Sequence, residues 1–188
     1  MIDKAIQNKL EKEFSSFKKK SEIVLIRTNS EKYNAVIDAA LYTIVNKIKF
    51  NGIYVTMNLG YDEINDRLKE SKVNTSKIYF IDGISSKMTE KPSADNLDLL
   101  QGPSSLTELS LAMTEAANTG KFNFILLDSL TTMLIYNDTR TTQRFAHFIL
   151  SKMRNLGIGG IIFAIDSKEA SEIIPSIASF CNKTITID

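Results

Sequence analysis

The sequence of 188 residues contains one cysteine, Cys181, and one histidine, His147. A single cysteine excludes an internal disulfide and fits a reducing compartment, and we expect Cys181 to act as a small buried hydrophobe. One cysteine and one histidine cannot supply a zinc-ligand cluster. Because no carboxylate or serine arrangement accompanies His147, we interpret it as a partly buried helix residue rather than a catalyst.

Tryptophan is absent, and the 23 basic residues are nearly balanced by 22 acidic residues. The chain therefore has no overall field for nucleic acid or anionic lipid, and it has no stripe of alternating aromatic and basic residues for single strands. No apolar run is long enough to cross a bilayer, and the N-terminus lacks the apolar core of a signal peptide. These absences predict a cytoplasmic protein without a membrane span and give nucleic-acid binding little support.

The length and the ordinary apolar fraction are those of one well-buried domain. Apolar runs that end at polar residues predict six strands, at 22–27, 53–57, 77–81, 122–127, 159–165 and 184–187. Helices are predicted between them, at about 35–49, 60–71, 105–118, 139–155 and 167–179. Ser105 and Glu108 have capping-box spacing, and Asp138 or Thr139 is the expected cap of the fourth helix. This alternation predicts a three-layer α/β/α sandwich with a mainly parallel central sheet.

Two stretches depart from this alternation. The first has one apolar helical stripe and is followed by Lys18-Lys19-Lys20; the stripe consists of Ile2, Ile6, Leu10, Phe14 and Phe17. We expect this amphipathic helix, in residues 1–20, to pack on the domain of residues 21–188, with a neighbouring subunit or a membrane surface as alternatives. The second stretch, 83–104, is rich in glycine, serine and proline, and a loop of this length is usually functional or disordered.

A chemical signal lies at Asp128-Ser129, where the predicted central strand ends. A carboxylate at the carboxyl end of a central parallel strand lies where open α/β sheets bind ligands, and in nucleotide-hydrolysing proteins such a group holds magnesium. The alternative is that both residues only satisfy backbone amides of the following turn. Arg140 and Arg144, on the next predicted helix, could bind an anion at this end of the sheet or simply lie in solvent.

Three stretches, 52–70, 77–84 and 125–136, together resemble the core of the RecA superfamily, and the nearest branch is the KaiC-like proteins of archaea and bacteria. The resemblance covers about 23–188, in the same order of elements. It implies the RecA-like fold of P-loop NTPases, with ATP and magnesium as possible cofactors and rings or filaments as possible assemblies. It also makes Lys152 and Arg154 candidates for a subunit interface, with a solvated helix surface as the alternative.

The resemblance implies a phosphate-binding loop between the first strand and the first helix, in which glycines let backbone amides wrap the phosphates. The corresponding residues are Thr28, Asn29, Ser30, Glu31, Lys32, Tyr33, Asn34 and Ala35. In an alignment without gaps, Thr28 and Tyr33 replace the two glycines. Asn34 then replaces the lysine, and Ala35 replaces the magnesium-binding hydroxyl. A shifted alignment makes Lys32 the lysine but places a glutamate at a glycine position, so neither version provides the phosphate cradle.

The family also has a pair of glutamates at the end of the second strand, one of which activates the attacking water. Asn58 and Leu59 replace them here, and the loss of a general base costs about 100- to 10,000-fold in rate. We therefore expect a catalytically inactive pseudo-ATPase that acts in regulation or assembly, through a protein partner or self-association. Two alternatives remain: a nucleotide-binding sensor with weak or no ATP hydrolysis, and an accessory nucleic-acid-handling relative, which depends on fold analogy alone.

Overall fold

The computed structural model describes residues 3–17 and 21–188. Ile2 and the three lysines at 18–20, which the sequence analysis assigns to the N-terminal amphipathic helix and its basic end, lie outside the described residues. Helix α1, Lys4–Glu13, begins after Asp3, whose carboxylate accepts hydrogen bonds from the backbone N–H groups of Ala5 and Ile6 at 2.8 and 3.1 Å. A 3₁₀ turn follows at Phe14–Ser16.

The central sheet has seven strands: β1 Ile23–Thr28, β2 Gly52–Thr56, β3 Ile78–Asp82, β4 Leu97–Leu99, β5 Phe124–Asp128, β6 Gly159–Ile165 and β7 Lys183–Ile187. Their order across the sheet is β4-β3-β2-β5-β6-β1-β7, and every neighbouring pair is parallel. The carboxyl ends of all strands therefore lie at one edge, and β5 and β6 lie between β1 and β2. This arrangement confirms the predicted α/β sandwich.

Helices cover both faces of the sheet. The remaining helices are α2 Tyr33–Leu41, which continues as a π-helical segment Tyr42–Lys47, α3 Tyr61–Glu70, α4 Leu106–Asn118, α5 Leu130–Tyr136, α6 Thr139–Asn155 and α7 Lys168–Ser179. The buried side chains form two apolar clusters, one on each face. Helices α1 to α3 pack in one cluster, and α4 to α7 pack in the other. Most residues of the central strands are fully buried, which explains their nearly continuous apolar sequence.

The structure corrects the sequence analysis in three places. The segment 83–104 contains strand β4, which is only three residues long and half-buried and pairs with β3 at the edge of the sheet. A separate helix, α5, lies between Asp128 and α6. The predicted capping box does not form: Ser105 has a ψ of 63°, outside the extended conformation of an N-cap, and its side chain makes no cap hydrogen bond. Glu108 instead accepts from the backbone N–H of Gln101 at 2.9 Å.

Helix α1 packs on the rest of the chain described by the structure. Ile6 and Leu10 of α1, with Phe14 and Phe17 of the turn that follows, are buried in the same cluster as α2. Lys9 Nζ donates to the backbone oxygen of Thr186 at 2.7 Å, and Lys183 forms an ion pair with Glu13. Both contacts join α1 to β7. Among the described residues, no helix is long and apolar enough to cross a membrane.

Candidate functional site

The carboxyl end of β5 holds a carboxylate that is bound on both oxygens. Asp128 is 1 % exposed. The hydroxyl of Tyr33 donates a hydrogen bond to Oδ1, and the hydroxyl of Tyr54 donates one to Oδ2. Both tyrosines are themselves buried, so the carboxylate is enclosed by protein donors.

Three elements bring these side chains together. Asp128 lies on the same face of β5 as Leu126, because side chains alternate along a strand, and that face is covered by α1 to α3. Tyr54 lies on the neighbouring strand β2, opposite Leu126 in the register. Tyr33 is the first residue of α2, and its ring packs edge-on against the ring of Phe163, with 6.0 Å between the centroids.

A second polar group extends this cluster toward α3. Arg67 Nε donates to Oδ1 of Asp38 at 3.0 Å, and Ser71 donates from its hydroxyl to Oδ2 of the same carboxylate at 2.8 Å. Arg67 Nη1 donates to the side-chain oxygen of Asn34 at 2.8 Å. The remaining nitrogen, Nη2, is buried and has no hydrogen-bond partner among the described residues. Burial raises the pKa of both Tyr54 and Asp128, and the positive charge of Arg67 opposes this rise.

Burial dominates the electrostatics of this cluster. It raises the pKa of Asp128, and the hydrogen bonds from the two tyrosines, together with the charge of Arg67, oppose this rise without cancelling it. Burial also raises the pKa of Tyr33 and of Tyr54 well above the usual value, and the charge of Asp128 adds to the effect. Both phenols consequently keep their protons and remain donors to Asp128.

The segment 28–35 joins β1 to α2 at the edge of the sheet where the strands end. Thr28 ends β1 and Tyr33 begins α2, so four residues connect the strand to the helix. Asn29 accepts from the backbone N–H of Lys32 at 2.9 Å, and Lys32 Nζ donates to the backbone oxygen of Asp188. Thr28 is buried, and its hydroxyl has no hydrogen-bond partner within the described part of the chain. Of the other loop positions, the exposed ones are Ser30, Glu31, Lys32 and Asn34, whereas Asn29 and Ala35 are half-buried.

The remaining predicted positions have local contacts. Ser129 caps α5, since its hydroxyl oxygen accepts from the backbone N–H of Thr132 at 3.1 Å, and the Asp128–Ser129 peptide bond is cis. Asn58 and Leu59 form a turn after β2. Their backbone N–H groups both lie 3.3 Å from Oγ1 of Thr56, which donates to the backbone oxygen of Leu59 at 2.6 Å. No carboxylate belongs to this turn, and Asp128 remains the acidic group at the end of β5.

A second enclosed carboxylate lies two strands away, at the end of β3. Asp82 is fully buried and accepts hydrogen bonds from the backbone N–H groups of Tyr61, Ile84 and Ser85, at 2.7, 2.7 and 3.0 Å. It also accepts from the Ser85 hydroxyl at 2.6 Å. These four donors fix the start of α3 and the turn after β3, so Asp82 has a structural function.

Sequence reasoning missed Tyr54, Arg67 and Asp38 as members of the cluster. A signal was present for Tyr54, because a tyrosine inside an apolar strand needs a partner for its hydroxyl when it is buried. Arg67 and Asp38 lie on different helices, and nothing in their spacing predicts the contact.

The basic residues of α6 and the single histidine have separate surroundings. Arg140 and Arg144 are exposed. Lys152 Nζ donates to the Ser110 hydroxyl at 3.2 Å, and Arg154 donates to the backbone oxygen of Phe180 and to the side chain of Asn182. His147 is half-buried, and its Nε2 lies 3.0 Å from the Ser176 hydroxyl.

Cys181 is partly buried, and burial raises the pKa of its thiol to about 11. The thiol therefore stays protonated and unreactive near neutral pH. Within residues 3–17 and 21–188, no group of three or more histidine, cysteine, aspartate or glutamate side chains could hold a metal ion.

The sequence matches no protein-family profile and no curated protein. Among solved structures, the fold is similar to that of a KaiC-like protein from the hyperthermophilic archaeon Pyrococcus horikoshii, with a TM-score of 0.64. The similarity covers 90 % of this chain and 72 % of the archaeal protein, at 10 % sequence identity. The chain therefore has a KaiC/RecA-like fold, as the resemblance in sequence implied, and at this identity the similarity concerns the fold alone.

Proposed function

We propose that this chain is a catalytically inactive KaiC/RecA-like protein, a pseudo-ATPase that acts in regulation or assembly through protein contacts. The observation that carries the proposal is the enclosure of Asp128 by Tyr33 and Tyr54. In the alignment without gaps, Tyr33 takes the place of the second glycine of the phosphate loop. Asp128 takes the place of the carboxylate that relatives use for magnesium.

Magnesium requires oxygen ligands in a near-octahedral arrangement and gives up its water reluctantly. For Asp128 to hold magnesium, directly or through water, at least one tyrosine hydroxyl would have to leave a buried carboxylate. Leaving a buried polar group without its partner costs about 1–3 kcal/mol, and more for a charged group. The loop offers little in return, since Asn34 replaces the lysine and Lys32 donates to the backbone of Asp188.

The chemical step also lacks its groups. Phosphoryl transfer is catalysed mainly by positioning and by electrostatic stabilisation, with a residue that orients the attacking water. Asn58 and Leu59 lie in the turn where KaiC-like enzymes have glutamates, and neither can accept a proton from water. A protein that retains the scaffold without this chemistry is most simply explained as an interaction partner.

Thermal unfolding of the full chain with and without millimolar ATP, ADP or GTP and magnesium tests this proposal. A ligand at 100 times its Kd stabilises by about 2.7 kcal/mol, which corresponds to roughly 5–11 °C for a chain of this size. We expect no shift for any nucleotide and no release of phosphate from ATP. Steady phosphate release would overturn the pseudo-ATPase proposal. A shift without turnover, abolished by Asp128→Asn, would replace it with the nucleotide-sensor alternative.

A further inference from the structure

We draw no further inference here: the strongest candidate, the group of exposed apolar side chains Leu111, Phe148 and Phe180 on the layer formed by α4 to α7, carries nothing because nothing in the structure shows what covers it.

Discussion

The Tyr33 hydroxyl donates to Oδ1 of Asp128 across 95 positions of the chain, joining the start of α2 to the end of β5. In the alignment without gaps, one of these residues belongs to the phosphate loop and the other to the magnesium-binding strand. In that alignment, the side chain at the position of a loop glycine is also the one that donates a hydrogen bond to the carboxylate. Under the proposed function, the presence of tyrosine at position 33 both removes the phosphate site and encloses the metal site.

Replacement of Tyr33 by phenylalanine should destabilise the fold. Tyr33→Phe keeps the buried ring but leaves Oδ1 of Asp128 without its donor, which costs about 1–3 kcal/mol. Tyr54→Phe should have a similar effect through Oδ2. Urea unfolding measures the destabilisation caused by each variant. Tyr136→Phe is the control, because Tyr136 is 46 % exposed and removal of its hydroxyl should cost less than about 0.5 kcal/mol. Equal effects for Tyr33→Phe and Tyr136→Phe would contradict the importance of the contact.

Asp128 should give the fold a characteristic pH dependence. Its pKa in the folded protein lies above the usual value of 3.8, so the folded state binds the proton more tightly than the unfolded state. The contribution of Asp128 to the free energy of unfolding is therefore greatest below its pKa in the unfolded state. This contribution is lost as the pH rises from about 3.8 to the pKa of Asp128 in the folded state.

The measurement compares wild type with Asp128→Asn by urea unfolding over this pH window. Burial also raises the pKa of Asp38. Because Asp38 is present in both proteins, its contribution to the pH dependence cancels when the two free energies of unfolding are subtracted. We expect the free energy of unfolding of wild type to fall relative to that of Asp128→Asn as the pH increases. A constant difference across the window would show that Asp128 has the same pKa in both states.

The sequence predicts the central strands well, because each is buried on both faces and so appears as an apolar run with a polar end. Strand β4 was missed for the opposite reason: it has three half-buried residues at the edge of the sheet, and pairing with β3 stabilises it more than its own composition does. Helix α5 was missed because its seven residues follow β5 directly and have no separate amphipathic pattern.

The candidate site was only half predictable. Asp128 could be identified from its position at the end of a buried strand. The donors to Asp128 could not, because Tyr54 lies 74 residues away and Tyr33 lies 95 residues away. Periodicity reports which face of an element a residue occupies, but not which side chain from another element meets it there.

Loss of Asp82 should be more costly than loss of an ordinary acidic residue. Asp82→Ala removes the acceptor of four donors at the end of β3, two of them buried, and we expect it to destabilise the fold by more than about 3 kcal/mol. Asp95→Ala, at an exposed position, should change the stability by less than about 0.5 kcal/mol. Chemical unfolding of both variants checks this, and a loss below about 1 kcal/mol for Asp82→Ala would show that water replaces the carboxylate.

Gly52 should be intolerant of any side chain, because a Cβ there would lie 2.1 Å from Cζ of Phe124 on the neighbouring strand. Gly52→Ala is therefore expected to cost about 1–3 kcal/mol through overpacking. Phe124→Leu alone leaves a cavity and is also destabilising. The double variant should lose clearly less stability than the sum of the two single losses, because the smaller leucine makes room for the methyl group. Additive losses would contradict this explanation.

A variant that restores three of the four family residues of the loop, with Thr28 left unchanged, tests the assignment of the site. Tyr33→Gly, Asn34→Lys and Ala35→Ser together give the chain the glycine, lysine and hydroxyl of a phosphate loop and remove one donor from Asp128. We expect this variant to gain a thermal shift with ATP and magnesium that wild type lacks, each protein being compared with itself without nucleotide. Adding Asp128→Asn to the variant should reduce the shift, because the carboxylate that helps to hold magnesium is then lost.

The restored variant should still not hydrolyse ATP efficiently. Binding and turnover depend on different groups, and the turn at Asn58 and Leu59 provides no general base, whose absence costs about 100- to 10,000-fold in rate. Phosphate release is therefore expected to stay near background even when nucleotide is bound, and to rise only when Asn58→Glu and Leu59→Glu are added. Turnover without these glutamates would show that another residue activates the water. A variant that binds no nucleotide would show that the loop residues alone do not explain the loss of the site.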